Sequence, residues 1–326
     1  MNRTLLKSLL SLALAAPCAQ AQTGPAAPGL VLRSAMTVAN AGQAMMLGSA
    51  KAGARLVAVG EHGVVLLSDD AGKQWRQAKS VPVRCALTSV SFVDDLHGWA
   101  VGHWGVVLAT NDGGETWSVQ RSDTAQDRPL FAVHAVDARH IVAVGLWSLV
   151  LTSADAGKTW ESARLDPPPG VGGAAKKADL NLFHLFPDAQ GRLFAAGERG
   201  MVLRSDDHGR RWTYLPSGYK GSFWTGISPA PGVLLAAGLR GSIYRSIDDG
   251  KTWMQVESGS KSSITALLPG PNGLVALGLD GLLLHSRDLG ASFSGLPRED
   301  RADLTTGLVL ADGSQLIFSR RGVVKN

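Results

Sequence analysis

Short apolar runs separated by glycine-containing turns recur along the whole chain. In one unit, residues 87–92 alternate between apolar and polar positions, residues 98–102 and 106–110 are mostly apolar, and 115–120 form a fourth run. Runs of this length, rich in Val, Leu and Ala and broken by tight turns such as 103–105, predict β-hairpins and not helices. The unit is therefore predicted to be a four-stranded antiparallel sheet with strands a, b, c and d.

An octapeptide between strands c and d gives the length of the repeat. It reads SDDAGKQW at 68–75 and returns at 110–117, 153–160, 205–212 and 246–253, with a degenerate copy, SRDLGASF, at 286–293. The closing aromatic residues follow one another at intervals of 42, 43, 52, 41 and 40 residues. A repeat of this length built from short strands predicts the radial array of sheets of a β-propeller.

The number of blades follows from the pairs of strands b and c. Six pairs lie at 56–68, 98–110, 141–153, 193–205, 233–246 and 274–286, and a seventh begins at 315 with no strand d after it. An isolated strand predicted at 29–35 would complete the last blade and remove an edge that invites aggregation. The sequence thus predicts an all-β fold: a seven-bladed β-propeller of four-stranded antiparallel blades, closed by an N-terminal strand.

The N-terminal segment has the composition of a secretory signal peptide. Arg3 and Lys7 are followed by an apolar stretch at 9–16 and by a small-residue cleavage site that ends at Ala21. We expect residues 1–21 to be removed and 22–326 to form one propeller in the periplasm or outside the cell. The same domain carries a Pro- and Gly-rich insertion at 166–179, where regular strands cannot form.

Composition excludes several classes of function. The formal net charge is only +5, and no run of Lys or Arg is long enough for a polybasic arm, so nucleic acid is not an expected partner. Pro17 directly before Cys18 fits a lipoprotein site poorly. Cleavage after Ala21 would leave Cys85 as the one cysteine, so the fold must be held by packing without an internal disulfide.

The octapeptide has the pattern Ser/Thr-x-Asp-x-Gly-x-Thr-Trp, known as the Asp-box or bacterial neuraminidase repeat. We interpret it as structural: its Asp accepts backbone N–H groups of the c–d turn, its Gly supplies a positive φ, and its Trp packs over the hairpin. A catalytic site would have to converge on one place, whereas these motifs are distributed one per blade. Each copy also offers too few oxygen ligands for calcium, and no zinc-type His/Cys cluster is apparent, so neither metal nor cofactor is expected. The predicted structural residues are Asp70, Asp112, Asp155, Asp207, Asp248, Trp75, Trp117, Trp160, Trp212 and Trp253.

A glycoside hydrolase remains an alternative because the Asp-box is common in sialidases. Such an enzyme needs two facing carboxylates, or a Tyr nucleophile in sialidases. Tyr219 in a d–a loop is the one candidate nucleophile, and Glu61, Glu198 and Asp280 are the candidate carboxylates. The arginine-containing Phe/Tyr-Arg-Ile-Pro motif of sialidases is absent, which favours a binding protein. A sialidase-like hydrolase or a carbohydrate-binding lectin stays the second hypothesis.

The turns between strands b and c carry more chemistry than a tight turn requires. In chain order they read Glu61-His62, His103-Trp104, Leu146-Trp147, Glu198-Arg199, Leu239-Arg240, Leu279-Asp280 and Arg320-Arg321. In a propeller these turns share one face with the d–a loops, and exposed Trp and Arg are typical of binding hot spots. The predicted partner-binding residues are Arg199, Arg240, Arg321, Arg320, Trp104, Trp147, His62 and His103.

The combined frame of turn and octapeptide resembles a known family. Segments such as VGEHGVVLLSDDAGKQW, VGHWGVVLATNDGGETW, AGERGMVLRSDDHGRRW and AGLRGSIYRSIDDGKTW are similar to those of the photosystem II stability/assembly factors, over essentially the whole mature chain. The resemblance implies a non-enzymatic assembly factor whose arginine patch, matched here by Arg199, Arg240 and Arg321, binds the tail of a membrane-protein precursor. Relatives outside photosynthesis suggest another partner, a periplasmic segment of an export-type transporter, bound by a monomer. His62, Trp104 and Trp147 occupy turns where the family's arginine patch is not matched. This difference argues against a photosystem client, but it is compatible with a general binding role.

Overall fold

The computed structural model describes residues 32–163, 165–166 and 179–324. The predicted signal peptide at 1–21, the start of the predicted closing strand at 29–31 and most of the insertion, 167–178, lie outside the described residues. Within the described part, no helix has both the length and the apolar character needed to cross a membrane.

The first four blades are four-stranded antiparallel sheets whose strands follow chain order. Blade one contains β1 to β4, at Met46–Ala52, Arg55–Gly60, Val65–Ser68 and Arg76–Gln77. Blade two contains β5 to β8, at Leu87–Phe92, Gly98–Gly102, Val107–Thr110 and Ser118–Arg121. Blade three contains β9 to β12, at Leu130–Ala135, Ile141–Gly145, Val150–Ser153 and Glu161–Ser162. Blade four contains β13 to β16, at Leu182–Pro187, Leu193–Gly197, Met201–Ser205 and Thr213–Pro216.

The last three blades become smaller towards the C-terminus. Blade five contains β17 to β20, at Phe223–Ala230, Val233–Gly238, Ile243–Ser246 and Met254–Val256. Blade six contains β21 to β23, at Ile264–Gly270, Gly273–Gly278 and Leu283–Ser286, and a single bridge between His285 and Ser294 replaces its fourth strand. Blade seven contains β24 to β26, at Leu304–Val309, Gln315–Ser319 and Gly322–Val323. Single turns of 3-10 helix lie at Ala41–Gln43, Glu61–Gly63, His103–Gly105, Leu146–Ser148 and Leu239–Gly241.

The seven-bladed propeller predicted from the repeat is confirmed, and its core is divided between the blades. Within the described residues, buried apolar side chains form seven clusters, and each cluster fills the wedge between two neighbouring blades. Strands b are buried along their whole length in blades two to five. Their continuous apolar runs are therefore explained by packing against a blade on each side.

The Asp-box forms the hydrogen bonds expected of a structural turn. In blade five, Ser246 Oγ donates to Asp248 Oδ1 (2.8 Å), and Thr252 donates to the same carboxylate through its N–H (2.9 Å) and its hydroxyl (2.7 Å). The Gly250 N–H donates to Ser246 Oγ at 2.9 Å, and its φ is +83°. The same arrangement holds at Asp70, Asp112, Asp155, Asp207 and the degenerate Asp288.

The Asp-box tryptophan does more than cover its own hairpin, because it also packs against the preceding blade. Trp75 of blade one meets Phe318 of blade seven edge to face, with ring centroids 5.2 Å apart. Its indole N–H donates to Gly72 O at 3.1 Å, which fixes the ring over the turn. The other box aromatics lie in the wedges towards their preceding blades in the same way, namely Trp117, Trp160, Trp212, Trp253 and Phe293.

The box glycine is required by close approach as well as by its positive φ. A Cβ at Gly290 would lie 2.2 Å from Leu235 of blade five, and one at Gly209 would lie 2.8 Å from Val142 of blade three. Side chains cannot approach so closely, and at φ near +80° a β-carbon is strained in any case. Each c–d turn is therefore seated directly on the blade before it.

The described residues close the ring without the predicted N-terminal strand. The described part of the segment 29–35, residues 32–35, forms no strand, and Ala35 N donates to Val81 O at 2.9 Å beside blade one. The strand prediction is therefore wrong for 32–35, and blade seven has three strands among the described residues. The alternating pattern at 29–35 suits any segment that packs one side on an apolar surface, and Leu32 and Ala35 do so against the wedge between blades one and two.

Side-chain contacts between the first and last blades take the place of a shared strand. Phe318 is fully buried in one cluster with Met46 and Leu66 of blade one. Polar groups reinforce this contact along the channel wall, where Ser49 Oγ lies 3.0 Å from Thr306 Oγ1. Closure therefore depends on the same kind of side-chain packing that joins the remaining six pairs of neighbouring blades.

Adjacent aspartates in one Asp-box test the hydrogen-bond function of the motif. Asp207→Ala removes bonds from Ser205 Oγ, Arg211 N and Arg211 Nε, and we expect it to lower the free energy of unfolding by about 1–3 kcal/mol. Asp206→Ala is the matched control, since Asp206 is itself exposed and makes only one ion pair, with the half-buried Arg204, and its effect should stay within about 1 kcal/mol. Urea unfolding measures the stability of both variants. Equal losses of stability would contradict the structural role that we assign to the box Asp.

The lowered pKa of the Asp-box carboxylates predicts that the protein loses stability in acid. Bonds from Thr159 lower the pKa of Asp155 to about 2, and bonds from Thr252 lower that of Asp248 to about 2, from the ordinary value of 3.8. A folded-state pKa below the unfolded one stabilises the protein fully above about pH 4, and this contribution is lost as the pH falls towards 2. We expect the unfolding temperature to decline across that window. The double variant Asp155→Asn/Asp248→Asn should decline less steeply, and an unchanged slope would exclude these two groups as its cause.

Candidate binding face

The b–c turns and the d–a loops lie on the same face, as the sequence predicts. His103 N donates to Ala86 O at 3.1 Å, and Leu146 N donates to Pro129 O at 3.0 Å. Leu239 N donates to Ser222 O at 3.1 Å in the same way. We call this surface the b–c face. The Asp-boxes lie at the opposite ends of strands c, together with the a–b turns.

Six b–c turns hold their second residue in the left-handed region. The φ angles lie between +51° and +59° at His62, Trp104, Trp147, Arg199, Arg240 and Asp280. In each of these turns the residue that follows, a glycine or Ser148, also has a positive φ. An L-residue in this region costs about 1–2 kcal/mol, and glycine or asparagine would be cheaper. Bulky side chains therefore project from the rim at a cost that the turn itself does not explain.

The predicted aromatic residues differ in accessibility. Trp147 is 57% exposed, although its backbone N–H is held by Asn181 Oδ1 at 3.0 Å. Trp104 is half-buried against the wedge between blades one and two. His103 is paired with Asp127 (3.0 Å), whereas His62 is exposed. Of the two tryptophans, Trp147 is thus the one exposed to solvent.

The predicted arginine patch is divided by carboxylates on the same face. Arg199 pairs with Asp179 (3.2 Å) and Arg320 pairs with Asp303 (3.4 Å). Asp280 occupies the turn of blade six, between Arg240 and Arg321 in ring order. The structure thus does not join Arg199, Arg240 and Arg321 into one continuous patch. Arg240 is exposed and makes no ion pair within the described residues, so its guanidinium is available to a ligand.

A second group of arginines surrounds a cleft between blades six and seven. Arg321 lies there with Arg320 and Arg301, in a cavity of about 370 Å³ that also contains Asp300 and Asp303. Arg301 pairs with Asp280 at 3.1 Å. The cleft therefore carries both signs of charge, and it is a less selective site for a carboxylate than Arg240.

Each inner strand contains a β-bulge close to the b–c face. The pairing of strands a and b skips one residue after the first pair of every blade, as between Leu87 and Ser89. A bulge turns the extra side chain away from the regular pleat. The seven extra residues all line the central channel, and they are Leu47, Thr88, Phe131, Phe183, Trp224, Thr265 and Thr305.

The seven extra residues form a ring around the channel, which we call the bulge ring. It has an aromatic side and a hydroxyl side. Phe131 and Phe183 stack with ring centroids 5.5 Å apart, and Trp224 follows on the next blade. The hydroxyl of Thr88 donates to Leu130 O at 2.7 Å and so links two blades. Sequence reasoning missed this ring. The signal was present, because buried residues of strand a lie three apart, as in Leu87 and Val90, where a regular strand would place them two apart.

The channel behind this ring carries no charged side chain. Its cavity of about 510 Å³ is lined by apolar residues, serines, threonines, His134 and His184. Desolvation in the wall lowers the pKa of both histidines to about 4, so both are neutral at physiological pH. The lining contains neither carboxylate nor tyrosine.

The residues named for a glycosidase are engaged elsewhere. Glu61 accepts Met45 N at 2.9 Å, and Glu198 accepts Asn181 N at 3.0 Å, so both carboxylates hold the d–a backbone. Tyr219 packs between Phe223 and Tyr244 and donates to Leu239 O at 3.1 Å. The facing carboxylates or nucleophilic tyrosine that hydrolysis requires are therefore not assembled among the described residues.

Three neighbouring blades combine the accessible groups of the b–c face. Blades three, four and five present Trp147, Arg199 and Arg240 at the rim, and Phe131, Phe183 and Trp224 at the channel mouth. We call these six residues the binding arc. The arc can stack apolar side chains, and Arg240 can receive a carboxylate in a planar fork.

A cluster of one carboxylate and two imidazoles lies on the opposite face, that of the Asp-boxes. Asp137, His140 and His208 each offer one ligand atom, and these atoms lie within 4.8 Å of one another. The sequence did not suggest it because His208 is far from the other two along the chain.

The fold and the repeated octapeptide define this protein as an Asp-box β-propeller with one chemically distinct face. The family model described as Photosynthesis system II assembly factor YCF48 matches residues 67–172. This match confirms the resemblance inferred from the sequence. A comparison with curated proteins gave no match.

Solved structures agree with the assignment of the fold. The chain is similar to a structure described as YCF48 bound to D1 peptide, with 18% identity and a TM-score of 0.70 over 92% of this chain and 97% of that chain. It is also similar to YCF48 from Cyanidioschyzon merolae, with 16% identity and a TM-score of 0.67 over 86% of this chain and 94% of that chain. At these identities the likeness defines the fold alone.

The left-handed turns predict an unusual response to substitution. Arg240→Gly should leave the free energy of unfolding unchanged or raise it by up to about 1 kcal/mol, because φ is +56° there. Arg240→Val should lower it by about 1–2 kcal/mol, since a β-branched residue fits this region poorly. Arg210, which is exposed and not at positive φ, is the control site, and there Gly should be no better than Val. Denaturant unfolding of the four variants decides, and a tolerated valine at 240 would contradict the turn geometry.

Proposed function

We propose that this protein is a non-enzymatic periplasmic binding or assembly factor that holds a segment of a membrane protein on its b–c face. The observation that carries the proposal is the binding arc, where an exposed indole, an unpaired guanidinium and a stacked aromatic mouth occur together. Bulky residues at positive φ are strained, and such strained residues cluster at functional sites in proteins.

The chemistry of the arc suits an extended peptide segment. Apolar or aromatic side chains of the segment would stack on Trp147 and on the rings at the channel mouth. A carboxylate, either a side chain or a chain end, would be received by Arg240. The uncharged channel with its hydroxyl groups would accept small polar groups without the desolvation cost that a buried charge carries.

The comparisons support a peptide ligand. A propeller similar over almost its whole length is described as bound to a D1 peptide, and the family description is that of an assembly factor. The leader predicted at 1–21 supports a periplasmic location, where a segment of a membrane protein is accessible. An export-type transporter is one candidate client, and the protein would act as a monomer.

The binding role is favoured over hydrolysis because no acid–base pair reaches the channel. The carboxylates nearest to the b–c turns are held by backbone N–H groups, and the channel wall contains none. A glycan ligand would instead use planar hydrogen-bonding groups at the mouth, where four of the seven bulge residues are apolar or aromatic and the hydroxyls of Thr88 and Thr265 already donate to backbone carbonyls.

Site-specific photo-crosslinking in the native host tests the proposal. A benzophenone amino acid at 147 or 240 should crosslink to a membrane protein, whereas the same group at 247 or 211 should not. Ile247 and Arg211 are the matched controls, because their side chains are 60% and 90% exposed on the face of the Asp-boxes. Mass spectrometry of the adducts identifies the client and the side of the membrane on which the contact lies.

Two charge-matched variants make the test quantitative. Trp147→Ser/Arg240→Glu should reduce recovery of the client about 10-fold or more, because one hot-spot residue is worth about 2 kcal/mol. Ile247→Ser/Arg210→Glu makes equivalent changes on the other face and should leave recovery unchanged. Equal crosslinking from both faces, or adducts with soluble proteins alone, would overturn the proposal.

A further inference from the structure

We infer that Asp137, His140 and His208 form a binding site for a divalent transition-metal ion, for which Zn²⁺ is the probe, and that the ion links blade three to blade four. Asp137 and His140 belong to the a–b turn of blade three, and His208 belongs to the Asp-box of blade four. The site lies on the face opposite to the proposed peptide site and is independent of it.

The three side chains are already close enough to share one ion. Their ligand atoms lie within 4.8 Å of one another, and the two imidazole rings are 4.6 Å apart between centroids. Asp137 Oδ2 lies 2.8 Å from His140 Nδ1, which orients that ring. Two imidazoles and a carboxylate are ligands that suit Zn²⁺, and the open side of the site leaves room for water as a fourth ligand.

Backbone hydrogen bonds hold the carboxylate of Asp137 at the site. Its Oδ1 accepts the N–H groups of Arg139 (2.7 Å) and His140 (2.8 Å). No Lys or Arg ion pair engages Asp137 within the described residues, so a cation would not have to displace one.

The position of His208 within the box shows why it reaches another blade. The residue between the box Asp and Gly has positive φ in the boxes of blades three, four and five, where it is Ala156, His208 and Asp249. At the interface of blades four and five, Asp249 forms an ion pair with Arg192 in the a–b turn of the preceding blade. This position therefore carries a polar link between blades. At the interface of blades three and four the link consists of two histidines and an aspartate, which attract each other through a shared metal.

Blade two supplies a natural negative control. Asp94 and His97 repeat the Asp-x-x-His pair of blade three, with His97 Nδ1 at 2.9 Å from Asp94 Oδ2. Both line a cavity that also contains Ala156 of blade three, which holds the place that His208 holds one blade later. The Asp–His pair alone is thus a turn feature, and the third ligand distinguishes the site at His208.

Calorimetric titration of the untagged, EDTA-treated full chain with Zn²⁺ tests the inference. We expect one saturable site in the wild type. His208→Ala places at this position the residue that blade three has at Ala156. Loss of a residue that merely hydrogen-bonds to a metal ligand weakens metal binding about 10- to 100-fold, so loss of the ligand His208 should weaken it at least as much. Zn²⁺ should also raise the unfolding temperature of the wild type and not that of His208→Ala, because the ion binds the folded state.

A gain-of-site variant keeps the test independent of any loss of folding. Ala156→His should add a second zinc site with Asp94 and His97, and His97→Ala should abolish that second site while leaving the first intact. Absence of a saturable site in the wild type would overturn the inference. Retention of wild-type affinity in His208→Ala would also overturn it, since the ion would then be held elsewhere.

Discussion

The seating of each Asp-box on the blade before it is the contact on which the rest of the structure depends. The box Asp organises its own turn, but the box Gly and Trp are pressed against the neighbouring blade, as with Gly290 on Leu235 and Trp75 on Phe318. Burial of one large aromatic side chain is worth about 1.5–3 kcal/mol. Repetition around the ring joins separate sheets chiefly through side chains, and even the first and last blades are joined in this way.

This contact keeps the backbone of the box turns nearly constant, while the b–c turns differ in the side chains that they present. The turns on the box face are held by positive-φ glycines packed against the preceding blade and by carboxylates such as Asp248, which accepts three hydrogen bonds. Six b–c turns share two consecutive residues at positive φ, and the side chain of the first of these differs from blade to blade. Such a frame can present His, Trp, Arg or Asp at equivalent positions, and this protein does so.

The face of the boxes is not purely structural either. The variable position between Asp and Gly lies close to the preceding blade's a–b turn in two wedges, and it changes from Ala156 to His208 to Asp249. Its neighbour determines what it does, an ion pair with Arg192 in one wedge and a histidine pair in another. A motif that is constant in its backbone can thus differ in its chemistry from blade to blade.

The sequence by itself determined the features that arise within one hairpin. The number of blades, the Asp-box turns, the positive φ of their glycines and the face of the b–c turns all follow from residues a few positions apart, whose hydrogen bonds are local. Only the tertiary structure decided what depends on residues dozens of positions apart. It paired Arg199 with Asp179, half-buried Trp104 while leaving Trp147 exposed, and brought His208 close to Asp137 and His140. It also replaced the predicted closing strand by the packing of Phe318 on Met46. In each case the outcome depends on the contacts between two neighbouring blades. A repeat of about forty residues predicts that the blades are neighbours, but it does not predict which of their side chains are in contact.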